Sequence, residues 1–111
     1  MDIQFQSRKF QQECTEQRKL VKKHGSVRAK KIRQRLDDLY AAVVLEDTRN
    51  LPGRCHELKG DRAGQLSMDL DHPYRLIFEP ANDPVPQKRD GGLDWTRTTA
   101  IVIVGVEDTH D

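Results

Sequence analysis

No apolar run in this sequence is long enough to cross a membrane. The longest, Ala100 to Val106, reaches about a third of the roughly 20 residues that a spanning helix needs. No secretory leader pattern opens the sequence either, so a cytoplasmic protein is expected. Cysteine is scarce. Cys14 and Cys55 are too few for a disulfide framework and too isolated for a metal site, and they fit a reducing compartment. A Gly-rich phosphate loop, a Cys or His pair at metal-ligand spacing, and a nucleophile elbow are all missing. These gaps exclude the common nucleotide-loop, metal-centred and serine-hydrolase patterns. No internal repeat is visible, and no cofactor is expected.

What is present is charge and pattern. With 111 residues, 35% hydrophobic and 33% charged, the chain predicts one domain, 1–111, with a thin core under a charged surface. Its Ile, Val, Leu and Phe fall in ordered spacings, which argues against disorder. The net charge of +1 hides an asymmetry. Residues 1–55 hold 13 Lys/Arg against 7 Asp/Glu, whereas residues 56–111 hold 6 against 11. Arg18, Lys19, Lys22, Lys23, Arg28, Lys30, Lys31, Arg33 and Arg35 follow one another with no acidic residue between them. Such a run is ordinarily a solvated helix face, but left unneutralised it attracts phosphate or an acidic protein surface.

Ile3 and Phe5 alternate with polar residues ahead of Ser7, predicting a short strand and then a helix N-cap. Neither Gly nor Pro interrupts Arg8 to His24, and Gly25 stands where a helix-ending glycine belongs. Ser26 is expected to cap a second helix with a buried stripe of Ile32, Leu36, Leu39, Tyr40 and Val43. The first helix has a sparser stripe of Phe10, Cys14 and Val21. Together they predict an antiparallel helical hairpin over about 8–45, with the basic run on its outer face.

After Leu51-Pro52-Gly53 the period shortens to 2. Leu66, Met68 and Leu70 alternate with Ser67 and Asp69; Tyr74, Leu76 and Phe78 alternate with Arg75, Ile77 and Glu79. Asp71-His72-Pro73 between them reads as a turn, so the pair predicts a hairpin. Ile101 to Val106 is apolar apart from one glycine and predicts a central strand covered on both faces. Pro80 to Thr98 predicts a long exposed loop, with Trp95 its one large apolar residue. The order β-α-α-β-β-β predicts an α+β domain: a mostly antiparallel sheet over about 54–107, with the helical hairpin packed on it.

Arg54, His56 and Lys59 cluster around Leu58, Arg75 lies opposite Tyr74 and Leu76 on its strand, and Glu107, Asp108 and His110 follow the buried strand. Taken singly, each has an ordinary explanation as a surface residue. Together they carry a resemblance. The segment Arg54-Cys-His-Glu-Leu-Lys-Gly-Asp-Arg-Ala-Gly-Gln65, then Tyr74-Arg-Leu-Ile-Phe78 and the closing Glu107-Asp-Thr-His110 are similar to HigB toxins of the RelE/ParE superfamily, the toxin halves of bacterial toxin–antitoxin operons. The Leu58-Lys-Gly-Asp-Arg62 string with Tyr74-Arg75 behind it is its most specific part.

The resemblance implies a RelE-like fold and a ribosome-dependent mRNA endonuclease that works without metal. Its catalytic residues would be His56, Lys59, Arg75, Asp108 and His110. The residue types suit cleavage of RNA by its own 2′-hydroxyl, which needs a base, an acid, and cations for the phosphorane. Histidine serves as acid or base near neutrality, and His110 stands ahead of His56 for that role. Lys59 and Arg75 would hold non-bridging oxygens. Asp108 would orient a neighbouring histidine. The basic hairpin would dock on ribosomal RNA or receive a helix-turn-helix, HigA-like antitoxin, through which the toxin meets operator DNA. One departure stands out: Thr109 replaces a tyrosine frequent in that family and offers no stacking ring, a loss for which Trp95 is the candidate substitute. A gyrase poison of the ParE type and an inactive interaction module are the alternatives.

Overall fold

The computed structural model describes residues 1–108; Thr109 and His110, which carried two of the expectations, lie outside the described residues. The alternating and helical periods resolve into strand β1 (Asp2–Phe5), helices α1 (Arg8–Thr15), α2 (Gln17–His24) and α3 (Ser26–Ala41), and strands β2 (His56–Glu57), β3 (Leu66–Asp69), β4 (Tyr74–Pro80) and β5 (Ala100–Asp108). The strands form one sheet in the order β1-β5-β4-β3-β2. Only the β1–β5 pair is parallel. The fold class is therefore α+β, as the periodicity predicts. Among the described residues no helix is long and apolar enough to cross a membrane.

The helical region departs from the expected hairpin in three ways. Ser7 does cap α1, its Oγ accepting from the Phe10 amide at 3.2 Å. Glu16, however, adopts extended backbone (φ −130°, ψ 106°) and splits the first helix into α1 and α2. The break resets the helical phase, so Leu20 rather than Val21 enters the core. Gly25, not Ser26, is the residue flanking α3, and no side chain caps that helix. The stripe of α3 is also narrower than expected. Ile32, Leu36 and Leu39 are fully buried, while Tyr40, at the edge of the stripe, is 49% exposed and Val43, beyond the helix end at Ala41, is 74% exposed.

The core lies between the helices and one face of the sheet. Ile32, Leu36 and Leu39 pack with Leu66, Met68, Leu76, Phe78, Ile101 and Ile103. Each such side chain contributes about 1.5–3 kcal/mol on burial. Trp95 belongs to this cluster at 5% exposure, its Nε1 donating to Glu57 Oε2 at 2.9 Å and the Arg49 guanidinium lying 4.0 Å over its ring. It anchors the 80–98 segment and is not a surface ring, so it offers no substitute for the stacking surface missing at Thr109. Its indole needed an acceptor once buried, and Glu57 supplies it.

Strand β5 carries the detail that matters most for the site. Phe78 pairs with Ile103, but Ile77 pairs with Gly105, leaving Val104 as an extra residue. This bulge reverses the alternation. Ile101 and Ile103 face the helices before it; after it, Val106 pairs with Leu76 on that side, while Glu107 pairs with Arg75 on the other. Gly105 takes the φ of 151° that the bulge demands. Val102 and Val104 are only half-buried, so β5 is not covered on both faces as its composition predicts.

Candidate active-site face

The sheet surface away from the helices is assembled by register. His56 pairs with Ser67, and Ser67 with Ile77. One step along, Asp69 pairs with Arg75 and Arg75 with Glu107. Directly paired residues share a face, so His56, Asp69, Arg75 and Glu107 come together from four strands. Ser67 and Ile77 in the middle of this face are buried outside the main core cluster, and Ser67 Oγ has no hydrogen-bond partner.

Arg54 closes the row. Its Nε donates to Asp69 Oδ2 at 3.0 Å and its Nη2 to Asp69 Oδ1 at 3.4 Å, while Arg75 Nε lies 3.5 Å from the same carboxylate. Arg62 reaches from the 3-10 turn Gly60–Arg62 to Glu107, and its Nη1 donates to Gln65 Oε1 at 3.0 Å. Gln65 in turn donates to Glu79 Oε2 at 3.0 Å. The result is a line of alternating sign: Arg54, Asp69, Arg75, Glu107, Arg62. Hydrogen bonding to Asp69 raises the Arg54 pKa above its ordinary value, and Glu107 does the same for Arg62, so both remain cations.

Arg54 is the one non-glycine residue with positive φ, 51°, among the described residues. That left-handed turn presents its carbonyl to His56, whose Nδ1 lies 2.7 Å from it. A carbonyl only accepts, so Nδ1 carries the proton, and in the neutral ring the lone pair sits on Nε2. This tautomer is the one a general base requires.

The residues expected from the sequence are thus placed unequally. His56 and Arg75 share this face. Lys59 is exposed at the start of the Gly60–Arg62 turn. Asp108 pairs with Tyr74, on the helix side, because the bulge gives the opposite face to Glu107. His110 lies outside the described residues. Arg54, Asp69 and Glu107 join the arrangement although the resemblance did not single them out. The hairpin alternation already set Asp69 beside Arg75; the placement of Glu107 needed the bulge.

The basic run is also not one outer face. Arg35 is 6% exposed, and its Nε donates to the Asp69 carbonyl at 2.8 Å. It passes so close to Gly53 that a Cβ there would lie 2.5 Å from Nε. Arg28 donates twice to Asp71, at 3.0 and 3.1 Å, and lies 3.4 Å over the Tyr74 ring. Arg33 bonds Asp37 and the Cys14 carbonyl. Acidic partners from elsewhere in the fold therefore neutralise part of a run that looked uncompensated. Arg18, Lys19, Lys22, Lys23 and Lys30 are exposed and Lys31 half-buried. Lys9, Lys19, Lys22 and Lys23 rim a groove of about 410 Å³ between α1 and α2.

Burial raises the Cys14 thiol to about 12 and the Cys55 thiol to about 11, so neither is a nucleophile. Among the described residues no group of three or more His, Cys, Asp or Glu could hold a metal ion.

No protein-family model matches the chain, and no curated protein does. Solved structures do share its fold. A YoeB dimer from Staphylococcus aureus matches with a TM-score of 0.58 and 18% identity, over 99% of this chain and 98% of that one. A YoeB–YefM complex from the same organism gives 0.57 and 15%, over 99% and 98%. A YoeB/ParE toxin from Agrobacterium tumefaciens gives 0.60 and 13%, over 99% and 100%. At the level of the fold, the resemblance read from the sequence is met.

Proposed function

We propose that this chain is a toxin of the RelE/ParE superfamily, a ribosome-dependent mRNA endonuclease that acts without metal and is neutralised by a cognate antitoxin. Residues 1–111 form its single toxin domain. The observation that carries this reading is His56, held by the Arg54 carbonyl with Nε2 available as a base on the face that Arg75 occupies.

In the proposed reaction, a ribose 2′-hydroxyl loses its proton to His56 Nε2, and the 2′-oxygen attacks the adjacent phosphorus. The bond from phosphorus to the 5′-oxygen breaks, and His110 returns a proton to that oxygen. The products are a 2′,3′-cyclic phosphate and a 5′-hydroxyl. Arg75 and Lys59 hold the non-bridging oxygens, where charge grows in the transition state. Asp108 orients His110. Neither base, acid nor cation needs to come from outside the chain.

The groove rimmed by lysines, with Arg18 and Lys30 also exposed, supports docking on ribosomal RNA. The antitoxin-bound YoeB neighbour supports an antitoxin partner for this chain; a helix-turn-helix antitoxin, with operator DNA reached through it, belongs to the same reading. The test is cleavage of a defined mRNA on purified programmed ribosomes. His56→Ala is expected to slow cleavage by about 10²–10⁴-fold with unchanged thermal unfolding. Intact mRNA after incubation with well-folded wild type would sink the nuclease reading.

A further inference from the structure

Arg75 and Arg54, whose carbonyl holds His56, line a cleft of about 100 Å³ whose walls also include Asp69, His72 and Tyr74. It has room for about three waters, the size class of one phosphate group. Asp69 occupies one edge of the Arg54 guanidinium, and the side chain is still 63% exposed, so its outer donors face solvent. Two guanidiniums and one carboxylate leave one net positive charge, which complements a single phosphodiester. The Asp69 main chain is itself pinned, its carbonyl by buried Arg35 and its amide by the Gly53 carbonyl at 2.7 Å.

Resting on the nuclease reading, we infer that Arg54 binds a non-scissile phosphate of the RNA next to the one addressed by His56 and Arg75, and that Asp69 is a positioning residue holding both arginines. The bidentate tie fixes the Arg54 fork before RNA arrives, so less freedom is lost on binding. Because the non-scissile phosphate is held equally in ground and transition states, Arg54 acts on KM.

The test combines titration of the full chain with a non-cleavable 2′-O-methyl RNA trinucleotide and steady-state cleavage on programmed ribosomes. Arg54→Gly keeps the left-handed backbone and removes the guanidinium. It is expected to weaken trinucleotide binding about tenfold, lower the slope of log affinity against log salt by about 0.7, and raise KM with kcat nearly unchanged. Arg54→Lys restores the salt slope but not the full affinity, since a point charge lacks the fork. Asp69→Asn weakens binding and lowers kcat. Unchanged affinity in Arg54→Gly, tighter binding in Asp69→Asn, or no binding by wild type overturns the inference. If wild type binds the trinucleotide as expected but cleaves nothing, the nuclease reading falls while the phosphate site stands.

Discussion

On the helix side of the sheet, Leu66, Met68, Leu76, Phe78, Ile101 and Ile103 are buried in one apolar cluster. On the other side of the same strands, Asp69, Arg75 and Glu107 stand in a row that Arg54 and Arg62 extend at its ends. The two surfaces are a single peptide plane apart, yet one holds the fold and the other offers chemistry. Alternation along a strand makes this economical: a chain with a thin core uses every second residue for packing and frees the rest. The price of the arrangement is strict register, and β5 meets it with one extra residue.

The largest effect should come from Ile103→Asp. Ile103 is fully buried on the helix side, opposite Phe78 and directly before the bulge, and the variant places a carboxylate there. Burying an unpaired carboxylate costs several kcal/mol, so a chain of marginal stability should lose its cooperative unfolding transition. An Ile103→Asp variant that unfolds at the wild-type temperature would show that the helix side is not what holds the fold.

A paired substitution sharpens the same contrast. Phe78→Ala is expected to cost about 3–5 kcal/mol by chemical denaturation, since it removes a fully buried ring. Arg75→Ala, one face away, should cost about 0–1 kcal/mol, its ion pair with Asp69 being long and solvent-screened. Equal losses in the two variants would break the comparison.

The smallest effect concerns the two faces' histidines. His24, on the helix side, stacks edge-on against Phe10 at 6.0 Å and lies 3.4 Å from Glu13. Burial lowers its pKa below 6.5, with the nearby Glu13 carboxylate opposing in part. The unfolded chain then takes up the proton first as pH falls, so this contribution to stability is complete above about 6.5 and is lost downward through the lower folded value. Urea midpoints of wild type and His24→Gln between about pH 7.5 and 5.5 should converge on the acid side. Parallel curves would leave His24 without a role in pH sensitivity.

Much of the scaffold was legible in the residues. Ser7 as a cap, the hairpin of Leu66–Asp69 with Tyr74–Pro80, and the buried Ile32-Leu36-Leu39 stripe all follow from neighbours within a few positions. The site was half legible. His56 and Arg75 came with the motif, and Asp69 was available from the hairpin's alternation. Glu107 in place of Asp108 on that face was not, because a bulge depends on how two strands meet. Nor was the fate of Arg35, whose partner is the carbonyl of Asp69 far along the chain.

By itself the sequence determined that a helical region precedes a strand hairpin and which residues of that hairpin would share a face, because those properties depend on backbone preference and spacing between near neighbours. Only the tertiary structure decided which cations meet solvent, which carboxylates meet them, that Trp95 turns inward, and that β5 changes face at Val104. Each of those outcomes depends on groups far apart in sequence competing for the same partner or space, and no local period records the winner.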